Sequence, residues 1–142
     1  MTKTWLVRSA LIVVGLAVVI QIVPYGRRHV NPPATGEPAW TTAAGRALAV
    51  RACFDCHSNE TRWPWYSNVA PVSWLVQHDT EDGRRALNFS EWNRPQRESD
   101  EAAETVRKHE MPPALYVPLH RAARLSTEER HALAEELDAI AQ

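Results

Sequence analysis

The only two cysteines in this chain, Cys53 and Cys56, stand three positions apart. So close a pair cannot staple distant parts of a fold. The chemistry of these thiols is therefore local, and the fold must be held by apolar packing instead. With 142 residues there is room for one domain with a modest core. Ten prolines, spread from Pro24 to Pro118, fix φ and interrupt helices. Short helices joined by ordered loops are the expectation.

The formal net charge is -1. A nucleic-acid binder would carry a strong basic excess or a basic stripe, so that class is set aside. The first 24 residues hold Lys3 and Arg8 and no acid. Beyond them stand 14 basic and 17 acidic residues, a net charge of -3. This mildly acidic body suits a solvated domain.

Trp5 to Val23 is apolar apart from Arg8, Ser9 and Gln21. A helix of that length, rising ~1.5 Å per residue, nearly spans the ~30 Å hydrocarbon core of a bilayer. Arg8 lies near one end, where its side chain can snorkel to the interface. A cleaved signal peptide would need a small-x-small site after the apolar run. The sequence there is Gln21-Ile22-Val23-Pro24-Tyr25-Gly26-Arg27-Arg28, which offers none. An uncleaved anchor over residues 1–24 is expected, ahead of a signal peptide or a core helix. Lys3 and Arg8 at one end nearly balance Arg27 and Arg28 at the other, so charge does not orient it.

Residues 25–40 read as a tether, with Asn31-Pro32-Pro33 and Gly36-Glu37-Pro38 and no apolar period. Thr41 or Thr42 caps a helix running to about Cys53. Asn59 to Pro71 is an aromatic loop, followed by a short helix over 72–81 carrying Trp74, Leu75 and His78. Ser99 caps a helix that opens on Asp100-Glu101 and stops at Met111-Pro112-Pro113. Ser126-Thr127-Glu128-Glu129 is a capping box, and Leu133, Leu137 and Ile140 follow it at helical spacing. No segment alternates as a strand should. The fold class is all-α: a small helical domain over 41–142 behind an N-terminal transmembrane helix.

Cys53-Phe54-Asp55-Cys56-His57 is a C-x-x-C-H run, the pattern of c-type haem attachment. Two thiols three positions apart on a turn reach the two vinyl groups of one porphyrin edge. The next residue, His57, then offers its imidazole to the iron as an axial ligand. A structural zinc site needs four ligands, usually from two separated pairs, and the second pair is missing. A thioredoxin-like dithiol needs a βαβ context, which is also missing. One covalent haem is the expected cofactor. Haem attachment of this kind happens outside the cytoplasm, so the domain is expected on the periplasmic side of the cytoplasmic membrane.

Met111 is the only methionine besides Met1 and lies 54 residues beyond His57. Pro112-Pro113 would hold its thioether rigidly, and Met/His ligation is the arrangement of electron-transfer cytochromes c. The bland alternative is a gap-filling core methionine. His109, His78 and His120 are rivals for the distal position. His29 and His131 read as solvated. Trp63, Trp65, Tyr66 and Trp74 are expected to build the core and screen the haem. Arg62, Arg84 and Arg85 are candidate forks for a haem propionate, although an ordinary surface role is favoured for each.

Taken together, these residues resemble the bacterial haem-binding domain family, a c-type cytochrome-like group. The resemblance is carried by Asn31-Pro32, by the unbroken run from Cys53 through Asn59-Glu60-Thr61-Arg62-Trp63-Pro64-Trp65-Tyr66-Ser67-Asn68, and by Ala70-Pro71-Val72-Ser73-Trp74-Leu75. It continues through Gly83-Arg84, Leu87-Asn88-Phe89-Ser90-Glu91-Trp92, Met111-Pro112-Pro113 and Leu119-His120. It implies haem binding through Cys53, Cys56 and His57 and a helical fold, and little about the reaction. The expected function is single-electron transfer with a redox partner protein. A haem-based sensor or a peroxidase-associated subunit is the alternative, and no catalytic constellation argues for an enzyme.

Overall fold

The apolar N-terminal run forms one uninterrupted helix, α1 (Thr2–Ile20). This computed structural model describes residues 2–142, so Met1, the first residue of the expected anchor, lies outside the described residues. Five more helices follow: α2 (Ala43–Ala52), α3 (Phe54–His57), α4 (Val72–Ala86), α5 (Ala102–Arg107) and α6 (Thr127–Ile140). Single 3-10 turns form at Trp65–Asn68 and Arg121–Ala123. Among the described residues there is no strand, only an isolated bridge between Gly36 and Glu91. The expected all-α class is the observed one. Lys3–Ile20 is long and apolar enough to cross a membrane, judged on length and composition.

Two helices depart from the sequence reading. α4 runs past Gly83 to Ala86, although the pattern suggested a stop near Glu81. Gly83 is buried, and a Cβ there would stand 2.6 Å from the Cys56 carbonyl oxygen. The glycine serves a close approach of two backbones and does not break the helix. α5 begins at Ala102 behind Glu101, with no side-chain cap, so Ser99 is not its N-cap.

Contacts divide the chain into two units, Met1–Val30 with Trp63–Asp79 and Asn31–Arg62 with Thr80–Gln142. In the first, the Gln21 amide donates to the Ala70 carbonyl at 2.9 Å and accepts from the Ala70 N–H at 3.0 Å. His29, expected to be solvated, is half-buried instead. Its ring stacks on Trp63 at 4.7 Å, and Nε2 meets the Ser67 carbonyl at 3.1 Å and hydroxyl at 2.9 Å. Trp65 packs edge-on to Tyr66 and stays exposed.

The second unit holds the apolar core of Ala49, Phe54, Leu87, Phe89, Val106, Leu133 and Leu137. α6 packs on α5 and α2 to close it. Phe89 stacks on Phe54 at 5.5 Å and on Trp92 at 5.7 Å, with Trp40 tilted against it at 5.3 Å. The core aromatics are therefore Trp40, Phe54, Phe89 and Trp92, and not the expected Trp63, Trp65, Tyr66 and Trp74. Residues 31–40 run along this unit: Thr35 N–H donates to the Ser90 carbonyl at 2.8 Å, and the Asn59 amide donates to the Pro33 carbonyl at 3.1 Å.

Two of the three sequence-read caps form. Thr42 accepts from the Gly45 N–H at 2.9 Å, and Ser126 and Glu129 complete the capping box. The start of α2 has a second cap from across the fold. The buried Glu136 carboxylate of α6 accepts from the hydroxyls of Thr41 (2.8 Å) and Thr42 (2.7 Å) and from both of their N–H groups. Burial alone would raise this carboxyl, but the four donors outweigh it and hold its pKa below the ordinary value. A carboxyl depressed by folding contributes stability above its unfolded pKa of about 4.3. That contribution is lost as pH falls through the lower folded value. Glu136→Ala is expected to cost about 1.5–3 kcal/mol at neutral pH, the range for hydrogen bonds to a charged group. Glu136→Gln is expected to flatten the acid limb of the stability profile. Denaturant melts across the acid range check both, and wild-type curves in both variants would contradict the cap.

Candidate functional site

The Cys53–His57 run forms a single helical turn at the end of α2. Cys53 N–H donates to the Ala49 carbonyl at 2.8 Å, and His57 N–H donates back to the Cys53 carbonyl at 2.9 Å. Phe54, between the two cysteines, is buried in the aromatic stack and ties the turn to the core. Cys53 and Cys56 are half-buried and are not joined in a disulfide. Burial, with Cys56 beside it, pushes the Cys53 thiol up to about 12. A thiol of that kind is a poor attacking nucleophile, which disfavours a dithiol exchange role. Among the described residues no group of three or more His, Cys, Asp or Glu side chains could hold a metal ion, which disfavours structural zinc.

His57 is oriented by two backbone carbonyls. Its Nδ1 lies 3.0 Å from the Gly83 carbonyl oxygen and 3.1 Å from that of Leu87. Carbonyl oxygens only accept, so Nδ1 carries the hydrogen and Nε2 keeps its lone pair. Burial pushes the imidazole below its ordinary pKa, against the pull of the Leu87 and Gly83 carbonyls, so the ring is neutral near pH 7. A neutral imidazole with a fixed tautomer and a bare Nε2 is what an iron ligand requires. The residues present fit a haem, with two thiols three positions apart that form no disulfide and a ligand nitrogen directly after them.

The strand of chain beyond His57 is locked by polar bonds. Phe89 N–H donates to the His57 carbonyl at 2.8 Å. Ser58, fully buried, donates to the Phe54 carbonyl at 2.8 Å, and Asn59 N–H donates to the Ser90 hydroxyl at 3.0 Å. Arg84 donates to the Ser58 carbonyl at 2.8 Å, to Thr61 Oγ1 at 2.9 Å and to Asn31 Oδ1 at 3.0 Å. Arg62 pairs with Asp55 and Arg85 with Asp82. All three arginines considered as propionate forks are therefore engaged within the protein.

Met111 follows α5 and is 37 % exposed. It stands outside the apolar core, so it is not a gap-filler. Arg130 holds its backbone: Nη1 donates to the Met111 carbonyl at 2.9 Å and to the Val106 carbonyl at 2.8 Å. His109 is exposed with φ +62°. His120 stacks on Tyr116 at 3.8 Å, with Nδ1 3.0 Å from the Tyr116 carbonyl. His78 and His131 are exposed.

One connection was not legible in the sequence. Tyr116, on the segment after Met111, donates its hydroxyl to Asp55 Oδ2 at 2.6 Å. Asp55 is the second residue between the cysteines, and its other oxygen accepts from Arg62 N–H and Nε at 3.2 Å each. The bond thus ties the chain beyond Met111 to the cysteine turn. Burial and the Asp55 carboxylate push the Tyr116 phenol well above its usual pKa, so it stays a donor. Neither residue shows a motif, and no spacing links positions 61 apart. Gly83 did leave a signal, as a glycine inside a helical pattern. Tyr116→Phe is expected to cost about 1.5–3 kcal/mol, the range for a hydrogen bond to a charged group. A double-mutant cycle with Asp55→Ala, read by chemical denaturation, checks it. Strictly additive losses would contradict the bond.

Comparison with known proteins bears on the whole of this arrangement. The chain matches the model of a family described as the haem-binding domain, over residues 15–139. No curated relative and no solved structure matches it. The matched stretch includes the cysteine turn, His57, Met111 and the helices that position them. The chain belongs to the haem-binding domain family.

Proposed function

We propose that this protein carries one haem covalently, through thioethers at Cys53 and Cys56, and passes single electrons. In thioether formation each S–H adds across a vinyl C=C. The sulfur bonds to one carbon and the hydrogen ends on the other, so no external oxidant is needed. His57 Nε2 and the Met111 sulfur would hold the haem iron, and α1 would anchor the domain to the outer side of the cytoplasmic membrane. The observation that carries this reading is the pair of carbonyls, Gly83 and Leu87, that hold the His57 Nδ1 hydrogen and leave Nε2 bare.

When bound, the haem supplies a reversible one-electron iron couple. The protein's part is to hold the ligands still. The carbonyls of Gly83 and Leu87 raise the basicity of the imidazole and fix its plane. Phe54 and the Phe89 stack keep the cysteine turn from shifting. Arg130 and the Pro112-Pro113 pair restrict the backbone at Met111. A thioether ligand raises the reduction potential relative to a second imidazole.

Absorption spectra of the protein made with a cytochrome c maturation system test the distal ligand. The oxidised wild type is expected to show the weak long-wavelength band of methionine-sulfur ligation, and Met111→Ala is expected to lose it while keeping its haem. An unchanged spectrum in Met111→Ala would remove Met111 from the iron. It would bring forward a histidine ligand or an open position, and with the latter a sensor or peroxidase-associated role.

A further inference from the structure

The chain beyond Pro24 is acidic on balance, with a net charge of -3. A groove of about 740 Å³ on this body has the opposite character. Arg121, Arg124 and Arg130 line it, with Pro112, Val117 and Pro118 supplying apolar wall, and no carboxylate lines it. Arg130 spends one nitrogen on the carbonyls of Val106 and Met111. Arg121 and Arg124 are exposed, and among the described residues their guanidinium groups have neither a hydrogen bond nor an ion pair. Elsewhere in the same unit Arg46 pairs with Glu37, Arg94 with Glu91 and Arg107 with Asp138, and Arg97 is exposed without an ion pair among the described residues but stands apart from the groove. Unmatched guanidiniums beside apolar wall are the composition of a surface that meets carboxylates, since each guanidinium can take one in a bidentate fork.

The groove begins at Pro112, the residue after Met111, and Arg130 belongs to both. We propose that this groove docks an acidic face of the redox partner protein. The proposal rests on the electron-carrier reading and adds where the partner binds and what its surface carries. Charge complementarity of this kind sets orientation and encounter rate more than raw affinity. Its sign opposes that of the body's net charge, which makes it testable.

The test compares the full-length haem-loaded protein, in neutral detergent, with the double variant Arg121→Glu/Arg124→Glu. Both positions lie outside the ligand set and the core, and an unchanged absorption spectrum confirms that the haem site is intact. Two readings are taken. The first is binding of poly-glutamate at low ionic strength, followed by titration calorimetry, which needs no electron transfer. The wild type is expected to bind, and the variant to lose at least about tenfold in affinity, roughly 1.4 kcal/mol. Arg27 and Arg28 are common to both proteins, so they do not produce a difference. The second is oxidation of the ferrous protein by hexacyanoferrate(III), in which one electron leaves the haem iron and the oxidant becomes hexacyanoferrate(II).

The rate is expected to fall as salt is added to the wild type, as for opposite charges meeting, and to be several-fold slower in the variant at low salt. A wild-type rate that rises with salt would mean that the net negative charge governs approach, and would overturn the proposal. Equal poly-glutamate affinity in both proteins would overturn it as well. A protein without covalent haem would instead sink the electron-carrier reading on which it rests.

Discussion

The tautomer of one histidine governs the chemistry available to this chain. An imidazole with a hydrogen on Nδ1 offers its lone pair at Nε2; with the positions reversed the lone pair would face the carbonyls of Gly83 and Leu87, and with both nitrogens protonated there would be none to offer. Two carbonyl oxygens settle the matter, those of Gly83 and Leu87. Both lie near the end of α4, so the ligand state of His57 depends on that helix reaching Ala86. α4 in turn comes close enough only because residue 83 has no side chain to strike the Cys56 carbonyl. A small residue in one helix thus fixes a proton on another.

The packing below the site has the same economy. The motif's own interior residue, Phe54, is part of the aromatic stack that organises the core. The cysteine turn is therefore held by the core itself and not hung on a surface loop. The other interior residue, Asp55, reaches the opposite way, to Tyr116 and Arg62. Between them the two unspecified positions of the C-x-x-C-H run attach it to both the core and the segment after Met111. α6 closes the arrangement, with Leu133 and Leu137 in the core and Glu136 capping α2 from a distance. A domain with so few large buried side chains depends on such polar anchors for a unique fold.

Much of this was legible in the sequence, for identifiable reasons. Most local signals survived: Thr42 and Ser126 cap where their spacing says they should, though Ser99 does not, and the apolar run stays helical to Ile20 across Gly15 with no proline to interrupt it. The cysteine turn was legible because its chemistry demands adjacent residues. Contacts between distant positions left no trace. Glu136 reads as one more acid on a helix face, yet it is buried against Thr41 and Thr42. His29 sits in a Pro-rich stretch that looks solvated, and only the fold brings Trp63 and Ser67 to it. The aromatics were misassigned for the same reason. Trp63 and Trp65 stand in a conspicuous cluster, whereas the core is built from Trp40, Phe54, Phe89 and Trp92, which are scattered along the chain. α4 runs beyond 81 through Gly83 because tertiary packing uses the missing side chain there, a reason that no local pattern carries.

Covalent attachment of one haem at Cys53 and Cys56 is the claim on which the ligation and the electron-carrier role both depend. Intact-mass spectrometry of the chain, denatured after expression with the maturation system, tests it most directly, because unfolding strips away any haem held by ligation alone. A chain heavier by one haem, with the increment lost in Cys53→Ala/Cys56→Ala, is the expected result. A denatured chain of unmodified mass would contradict it.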